Sequence, residues 1–219
     1  MKKLKVAILP HLVRPITRYT LAARSRIIYE LIDELVKHGH EVTLLGTKDS
    51  RTAAKNLPVA PTGIFLMGVT ENDFYRHTSY LVRAIKTVQK HQQDFDIVHN
   101  HMYPEFLPLL LGNQLRIPVL TTIHTEMNDY LIEALKRFPQ AELVALSHQH
   151  RRDAKGLDIK HVVYNGINME LFRLHEHPND YLLFVGRIKI VRRESGQIYD
   201  PKGLLTAISV AKKSRQRLL

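Results

Sequence analysis

Short apolar runs alternate with amphipathic segments along most of this chain, and this alternation constrains the fold more than any other feature. The first unit is a strand at 4–9, a helix with Ser25 as its N-cap and Gly39 after its end, and a second strand at 41–45. Strands that are joined through a helix pair in parallel with a right-handed crossover. The alternation therefore predicts an α/β fold with a doubly wound parallel sheet.

The same alternation continues to residue 164 and predicts seven strands in all. The later strands are expected at 64–69, 95–99, 119–123, 143–146 and 161–164, and the helices at 71–91, 105–115 and 128–137. Residues 1–170 therefore form one predicted domain. The polar segment 171–180 reads as a linker, and 181–219 adds one strand at 181–185 and one helix at 203–214.

Composition excludes several classes of protein. The chain has no Cys, which rules out disulfides, thiolate metal sites and a Cys nucleophile. Its net charge of +11 favours nucleic acid, anionic lipid headgroups or phosphorylated molecules as partners, so peripheral membrane contact through the basic surface is one expectation. A solvated basic face with no specific partner is the alternative. No RNP, KH or helix-turn-helix signal is present, which argues against nucleic acid. No apolar run approaches the roughly 20 residues of a membrane span, and the N-terminal run ends at Pro10, so we expect a cytoplasmic protein.

The sequence lacks the motifs of three classes of enzyme. The loop after the first strand, PHLVRPITRYT, has no glycine, so a dinucleotide-binding turn is not expected there. The chain contains no GxxxxGK[ST] sequence, which excludes a P-loop nucleotidase. Ser147 lies beside His148 without a G-x-S-x-G elbow, which argues against a hydrolase.

Polar side chains follow several predicted strands at their carboxyl ends, where ligands bind in open α/β sheets. Asn100 and His101 follow the fourth strand, and His124 and Glu126 follow the fifth. Histidine is a common metal ligand, so a metal site formed by His99, His101 and His124 is one hypothesis. We favour a hydrogen-bonding role toward a polar ligand, or a structural role for His99, over the metal-site hypothesis, and we expect no metal.

A basic segment follows the sixth strand. Ser147 is expected to cap a helix, and Arg151 and Arg152 have the guanidinium groups that bind phosphate through two hydrogen bonds. An exposed basic turn without a ligand is the alternative.

Taken in order, six segments resemble glycosyltransferase family 4, retaining enzymes of the GT-B fold that transfer sugar from a nucleotide donor. They are HGHEVTLLGTKDSRTAA, FDIVHNH, PVLTTIHTE, ELVALSHQHRR, VVYNGINMELF, and YLLFVGRI followed by PKGLLTAISVAKK. The resemblance implies that 1–170 is a Rossmann-like acceptor-side domain and that 181–219 begins a second, donor-binding Rossmann-like domain.

The resemblance also implies roles for individual residues. His124 matches a catalytic histidine that contacts the donor sugar, and Arg187 and Lys202 match the pair that binds the donor diphosphate. The substrates implied are a UDP- or GDP-sugar and a sugar or lipid-linked acceptor, with no metal. Fixed cations of this kind stabilise the charge on a departing diphosphate.

The chain departs from the family pattern in three places. Arg18-Tyr19-Thr20 stands where the family carries a glycine pair, so Arg18 becomes a candidate for lining the ligand site. Residues 189–200 lie between Arg187 and Lys202, and Lys189, Arg192 or Arg193 are alternatives to Lys202. The family's Glu-x7-Glu segment is missing.

We therefore expect a truncated second domain, which packs on the first domain, pairs with another chain or stays loose. Self-association or a partner chain is one way in which this domain is completed. Activity is expected to be weak or absent in this chain alone, with little thermal stabilisation by nucleotide sugars. A stand-alone module that binds an anionic or phosphorylated ligand is the alternative function.

Overall fold

The computed structural model describes residues 2–67, 73–172, 174–177, 179–186, 188, 190–192, 196 and 198–219. Its contacts divide the chain into two compact units, Met1–Asn168 (unit 1) and Met169–Leu219 (unit 2).

Unit 1 contains a parallel sheet of seven strands. The strands are Lys5–Pro10 (β1), Glu41–Leu44 (β2), Lys55–Asn56 (β3), Ile97–His101 (β4), Val119–Thr122 (β5), Glu142–Ala145 (β6) and His161–Val162 (β7). Their order across the sheet is β3-β2-β1-β4-β5-β6-β7, and every neighbouring pair is parallel. The prediction of a doubly wound α/β fold is confirmed.

Helices cover both faces of this sheet. The α-helices are Ala23–Lys37 (α1), Asp73–Lys90 (α2), Asp129–Lys136 (α3) and His148–Asp153 (α4), and shorter 3-10 segments lie at Ile64–Met67, Gln92–Asp94 and Leu107–Gln114. No helix in the described part of the chain has the length and apolar character that a membrane crossing needs.

Successive residues of β1 point to opposite faces and so join two different cores. Val6 and Ile8 pack with Ile28 and Ile32 of α1. Ala7 and Leu9 pack in the other cluster with Leu81, Ala84 and Val88 of α2. The three- and four-residue spacing of these helical residues is the apolar stripe that predicted both helices. Because β1 is buried on both faces, it is the structural centre of unit 1.

The prediction of a strand at 64–69 is wrong for its described residues, which form the 3-10 segment Ile64–Met67. The N–H groups of Ile64 and Phe65 donate to the carbonyls of Leu12 and Val13, so this segment lies against the loop after β1 rather than in the sheet. Residues 68 and 69 lie outside the described residues. The third strand is instead the polar pair Lys55–Asn56, which extends the sheet beyond β2.

Two helix predictions also need correction. The segment 105–115 forms a 3-10 helix over Leu107–Gln114, interrupted at Gly112, whose φ of 45° is non-helical. The N-cap of α1 is Ala22 and not Ser25. Ser25 lies inside the helix, where its hydroxyl hydrogen-bonds the His11 ring.

Unit 2 contains a 3-10 turn at Met169–Leu171, an antiparallel pair formed by Val191–Arg192 (β8) and Ile198–Tyr199 (β9), and the helix Leu204–Ser214 (α5). The helix predicted at 203–214 is confirmed. The strand predicted at 181–185 is reduced to a single bridge between Leu182 and Leu218. Among the described residues of unit 2, Ala211 is the hydrophobic side chain that is buried.

Candidate functional site

The strand order reverses between β1 and β4, and this reversal places a crevice at the carboxyl ends of these strands. From β1 the chain adds β2 and β3 on one side of the sheet, whereas β4 to β7 follow on the other. Open α/β sheets bind ligands at such a switch point. Buried polar side chains of unit 1 collect there, namely His11, Ser25, Asn100, His101, Glu105, Thr121 and Thr122.

His11 directly follows β1 and is held by two hydrogen bonds. The N–H of Val13 donates to its Nδ1 at 3.3 Å, and its Nε2 lies 3.0 Å from the hydroxyl of Ser25. Because Nδ1 accepts, neutral His11 carries its proton on Nε2 and donates to Ser25. Burial, with the neighbouring Arg24, lowers the pKa of His11 to about 4. This histidine was not among the site residues predicted from the sequence, although its place directly after the central strand was a signal.

A buried ion pair joins three elements at the crevice. Glu105 is 1% exposed, and its Oε1 lies 3.5 Å from Nη2 of Arg24 in α1. The hydroxyl of Thr125 donates to the same oxygen at 2.5 Å and accepts from Nη2 of Arg24 at 3.1 Å. Nη1 of Arg24 also reaches the carbonyl of Met102 at 3.5 Å. This network links α1 to the loops after β4 and β5.

Asn100 shapes the loop that carries Glu105. Its amide donates to the Glu105 carbonyl at 2.7 Å and to the Thr121 hydroxyl at 3.1 Å. Its side-chain oxygen accepts from the N–H of Met102 at 3.0 Å, and the residue is fully buried. These bonds use the side chain inside the protein, and its predicted contact with a ligand stays a prediction.

Three histidine rings form a row along the carboxyl ends of β4 and β5. β4 continues two residues past its predicted end, because His101 still pairs with Pro10 of β1. The His99 and His101 rings are 4.1 Å apart between centres, and the His101 and His124 rings are 5.1 Å apart. Nδ1 of His101 and Nε2 of His124 lie 2.8 Å apart. Nε2 of His99 lies 2.8 Å from the hydroxyl of Thr122.

Burial keeps this histidine row neutral at pH 7. It lowers the pKa of His99 to about 4. It also lowers the pKa of His124 to about 3, with a further contribution from Arg24. The pKa of His101 falls well below 6.5, first through burial and then through the neighbouring rings. In the part of the chain that the structure describes, no group of three metal-ligating side chains is arranged to hold a metal ion.

Three further predicted site residues, Arg18, Glu126 and Arg151, are exposed. The carbonyl of Arg18 accepts from the guanidinium of Arg26. Among the residues that the structure describes, no hydrogen bond joins these three side chains to His101 or His124. Their predicted ligand contacts stay predictions.

The segment after β6 holds the loop that carries Thr125. Ser147 caps α4, as predicted, since its hydroxyl accepts from the N–H of His150 at 3.0 Å. Nδ1 of His150 accepts from the N–H of Leu146 at 3.2 Å, so its Nε2 carries the proton and donates to the Thr125 carbonyl at 3.0 Å. His150 therefore anchors the segment next to His124.

A cavity of about 280 Å³ opens beside the ion pair. Its lining consists of His11, Val13, Arg14, Ala22, Arg24 and Tyr103. The Tyr103 ring is 48% exposed and its centre lies 5.6 Å from the Arg24 guanidinium carbon. The cavity therefore combines an aromatic face with cationic side chains.

In unit 2, the candidate Arg187 lies outside the described residues, while Lys202 is exposed in the turn before α5. A Cβ placed on Gly186 would lie 3.5 Å from the Cβ of Lys202. The intervening residues include the β8–β9 pair, which brings Lys202 back beside Gly186 despite their separation in sequence. The diphosphate-binding roles of Arg187 and Lys202 stay predictions.

The seven-stranded parallel sheet and its flanking helices define a Rossmann-like α/β protein. Residues 25–171, more than half of the chain, match the family model for Glycosyltransferase Family 4, and the chain belongs to this family. No curated protein matches the sequence at a significant level.

One solved structure has a similar fold. The crystal structure of AviGT4, a glycosyltransferase involved in avilamycin A biosynthesis, matches 98% of this chain at a TM-score of 0.61 and 20% identity. The chain spans 55% of the length of AviGT4. A second match is the crystal structure of the C-terminal domain of the coenzyme A biosynthesis bifunctional protein CoaBC, at 13% identity. The match covers 98% of this chain and 97% of that chain, and its TM-score of 0.33 is too low to bear on the fold.

Proposed function

We propose that this chain takes part in retaining transfer of a sugar from a nucleotide-sugar donor, such as a UDP- or GDP-sugar, to a sugar or lipid-linked acceptor. Unit 1 is the acceptor-side domain in this proposal. The observation that carries it is the neutral His101–His124 pair beside the Arg24–Glu105 ion pair at the switch point of a family member.

The chemistry of these side chains suits a sugar. A neutral imidazole can form a hydrogen bond with a sugar hydroxyl without adding a charge beside the reacting carbon. Arg24 is a fixed cation whose charge is balanced by Glu105. The aromatic face of Tyr103 lines the adjacent cavity and offers a surface on which a sugar ring can pack. In this proposal His124 contacts the donor sugar, and Arg187 and Lys202 hold its diphosphate without a metal.

The test measures binding and turnover in the full chain. A panel of UDP- and GDP-sugars is titrated while the ring signals of the histidines are followed by NMR, and release of the nucleoside diphosphate is measured in parallel. We expect a nucleotide sugar to shift the His124 signals, and His124→Ala to abolish that binding. His148→Ala, a change at an exposed histidine of α4, is the matched control and is expected to bind normally.

A second candidate is a module that binds an anionic or phosphorylated ligand. The net charge of +11 and the two arginines in the cavity, Arg14 and Arg24, favour it. Inorganic diphosphate separates the two proposals. Because turnover by this chain alone is expected to be weak or absent, binding decides between them: diphosphate that binds as tightly as every nucleotide sugar would support the module and contradict sugar transfer.

A further inference from the structure

The His101–His124 pair shares one hydrogen bond, and the described residues offer no partner to the other nitrogen of either ring. The shared bond joins Nδ1 of His101 to Nε2 of His124 at 2.8 Å. Nε2 of His101 is buried, and no described residue hydrogen-bonds it. His101 is 2% exposed, whereas His124 is half-buried, so Nδ1 of His124 is the nitrogen that a ligand can approach.

The pair can hold its protons in only two ways. Burial keeps both rings neutral at pH 7, so each ring carries one proton. In the first arrangement, Nδ1–H of His101 donates to Nε2 of His124, whose own proton is then on Nδ1. In the second, Nε2–H of His124 donates to Nδ1 of His101, whose own proton is then on Nε2.

The buried environment of His101 favours the first arrangement. The second would place an N–H on the buried Nε2 of His101, where the described residues supply no acceptor. Buried N–H groups without a partner are rare in folded proteins, because the lost hydrogen bond to water is not replaced. The first arrangement leaves a bare ring nitrogen there instead.

The neighbours of the pair hold both rings in place. The His99 ring lies 4.1 Å from the His101 ring between centres, and its Nε2 is already used by the Thr122 hydroxyl. The backbone next to His124 is anchored by the hydrogen bond from His150 to the Thr125 carbonyl. The shared bond between His101 and His124 is therefore a fixed feature of the crevice.

We propose that His101 is a positioning residue that fixes His124 with its proton on Nδ1. The crevice then presents an N–H donor, and it selects a ligand oxygen that accepts a hydrogen bond. That oxygen belongs to a sugar hydroxyl or to a phosphate group. The identity of the ligand rests on the proposed function, whereas the position of the proton does not.

The protonated nitrogen is read directly from two-bond ¹H–¹⁵N correlation spectra of the ¹⁵N-labelled full chain without ligand. His11 and His150 are internal references, because Nδ1 of each accepts from a backbone N–H and the proton must lie on Nε2. We expect His101 and His124 to show the opposite pattern, with the proton on Nδ1. A His124 signal with the proton on Nε2 overturns the proposal, whatever the result with nucleotide sugars.

Two variants test the role of His101. His101→Asn keeps an amide N–H close to the place of Nδ1, and we expect His124 to keep its proton on Nδ1. His101→Leu removes the donor, and the His124 proton is expected to move to Nε2, the usual tautomer of a free neutral histidine side chain. An unchanged His124 signal in His101→Leu would contradict the positioning role. If that variant does not fold, the spectrum of the unmodified chain still decides.

The ligand oxygen is identified by adding an uncharged hexose and inorganic diphosphate in separate titrations. A shift of the His124 Nδ1–H signal with the hexose supports a hydroxyl acceptor, and a shift with diphosphate supports a phosphate oxygen. If neither probe nor any nucleotide sugar moves this signal, the proposal that the N–H selects a ligand oxygen is wrong.

Discussion

Units 1 and 2 are both built from strand and helix segments, but they differ in what they bury. Unit 1 buries both faces of β1 between two helices, together with an ion pair and a row of histidines. In the described part of unit 2, Ala211 is the buried hydrophobic side chain, while Leu183, Val185 and Ile188 are at least 65% exposed. Similar local patterns thus give a packed sheet only where neighbouring strands exist on both sides.

The largest expected difference concerns apolar side chains. Leu44→Ala removes a fully buried side chain of unit 1 and is expected to lower the free energy of unfolding by about 2–5 kcal/mol. Leu183→Ala in unit 2, where the side chain is 65% exposed, is expected to change it by less than about 0.5 kcal/mol. Urea unfolding of both variants measures the difference. Equal losses would show that the units do not differ in packing.

The ion pair extends the comparison to polar groups. Arg24→Ala leaves the buried Glu105 carboxylate without its ion-pair partner, and we expect the free energy of unfolding to fall by about 3 kcal/mol. This value is at the low end for breaking a buried ion pair, because the Arg24 side chain is 20% exposed. Arg217→Ala, at an exposed arginine of unit 2, is the matched control and should have almost no effect on the urea midpoint. Glu105→Gln keeps a hydrogen-bond acceptor for Thr125 and should lose less than Arg24→Ala; a larger loss would argue against this account.

Acid should weaken unit 1 through its histidines. The pKa of His11 is about 4 in the folded chain and 6.5 in its ordinary state, so between these values the unfolded chain binds more protons. The contribution of neutral His11 to the free energy of unfolding is therefore fully present above pH 6.5, and it is lost as the pH drops toward 4. At pH 5, protonation linked to His11 alone should lower the free energy of unfolding by about 2 kcal/mol.

The variant His11→Asn measures this contribution. Its amide oxygen can still accept from Val13, but it takes up no proton, so the loss of stability between pH 7 and pH 5 should shrink. His175→Asn changes an exposed histidine of unit 2 and serves as the control. An identical pH dependence in all three chains would show that His11 is not a source of acid sensitivity.

The smallest expected effect concerns a helix cap. Ser147→Ala removes the hydroxyl that accepts from the N–H of His150, and a loss of about 1 kcal/mol is expected. Ser214→Ala near the end of α5 in unit 2 is expected to stay within about 0.5 kcal/mol. Thermal unfolding of the two variants resolves this difference. If Ser214→Ala proved the more harmful change, unit 2 would depend on local hydrogen bonds more than unit 1 does.

Elements with a strong side-chain pattern were predictable from the sequence, and those set by the backbone were not. The apolar stripes of α1 and α2 predicted both helices. The strand Lys55–Asn56 has no apolar residue, and only its pairing with Thr43 and Leu44 makes it a strand. The site shows the same limit. His101 and His124 were found because they follow strands, but Arg24 meets Thr125 across 101 residues of sequence, a contact that the sheet order creates.

Pro10 ends the central strand opposite His101 and has no N–H to offer a further ladder bond. The pairing of β1 with β4 therefore ends at this proline, and the chain can leave the sheet there. The mouth of the crevice is thus a property of the main chain. Replacing the surrounding histidines and arginines would change the side chains at the opening but not the point at which β1 and β4 cease to pair.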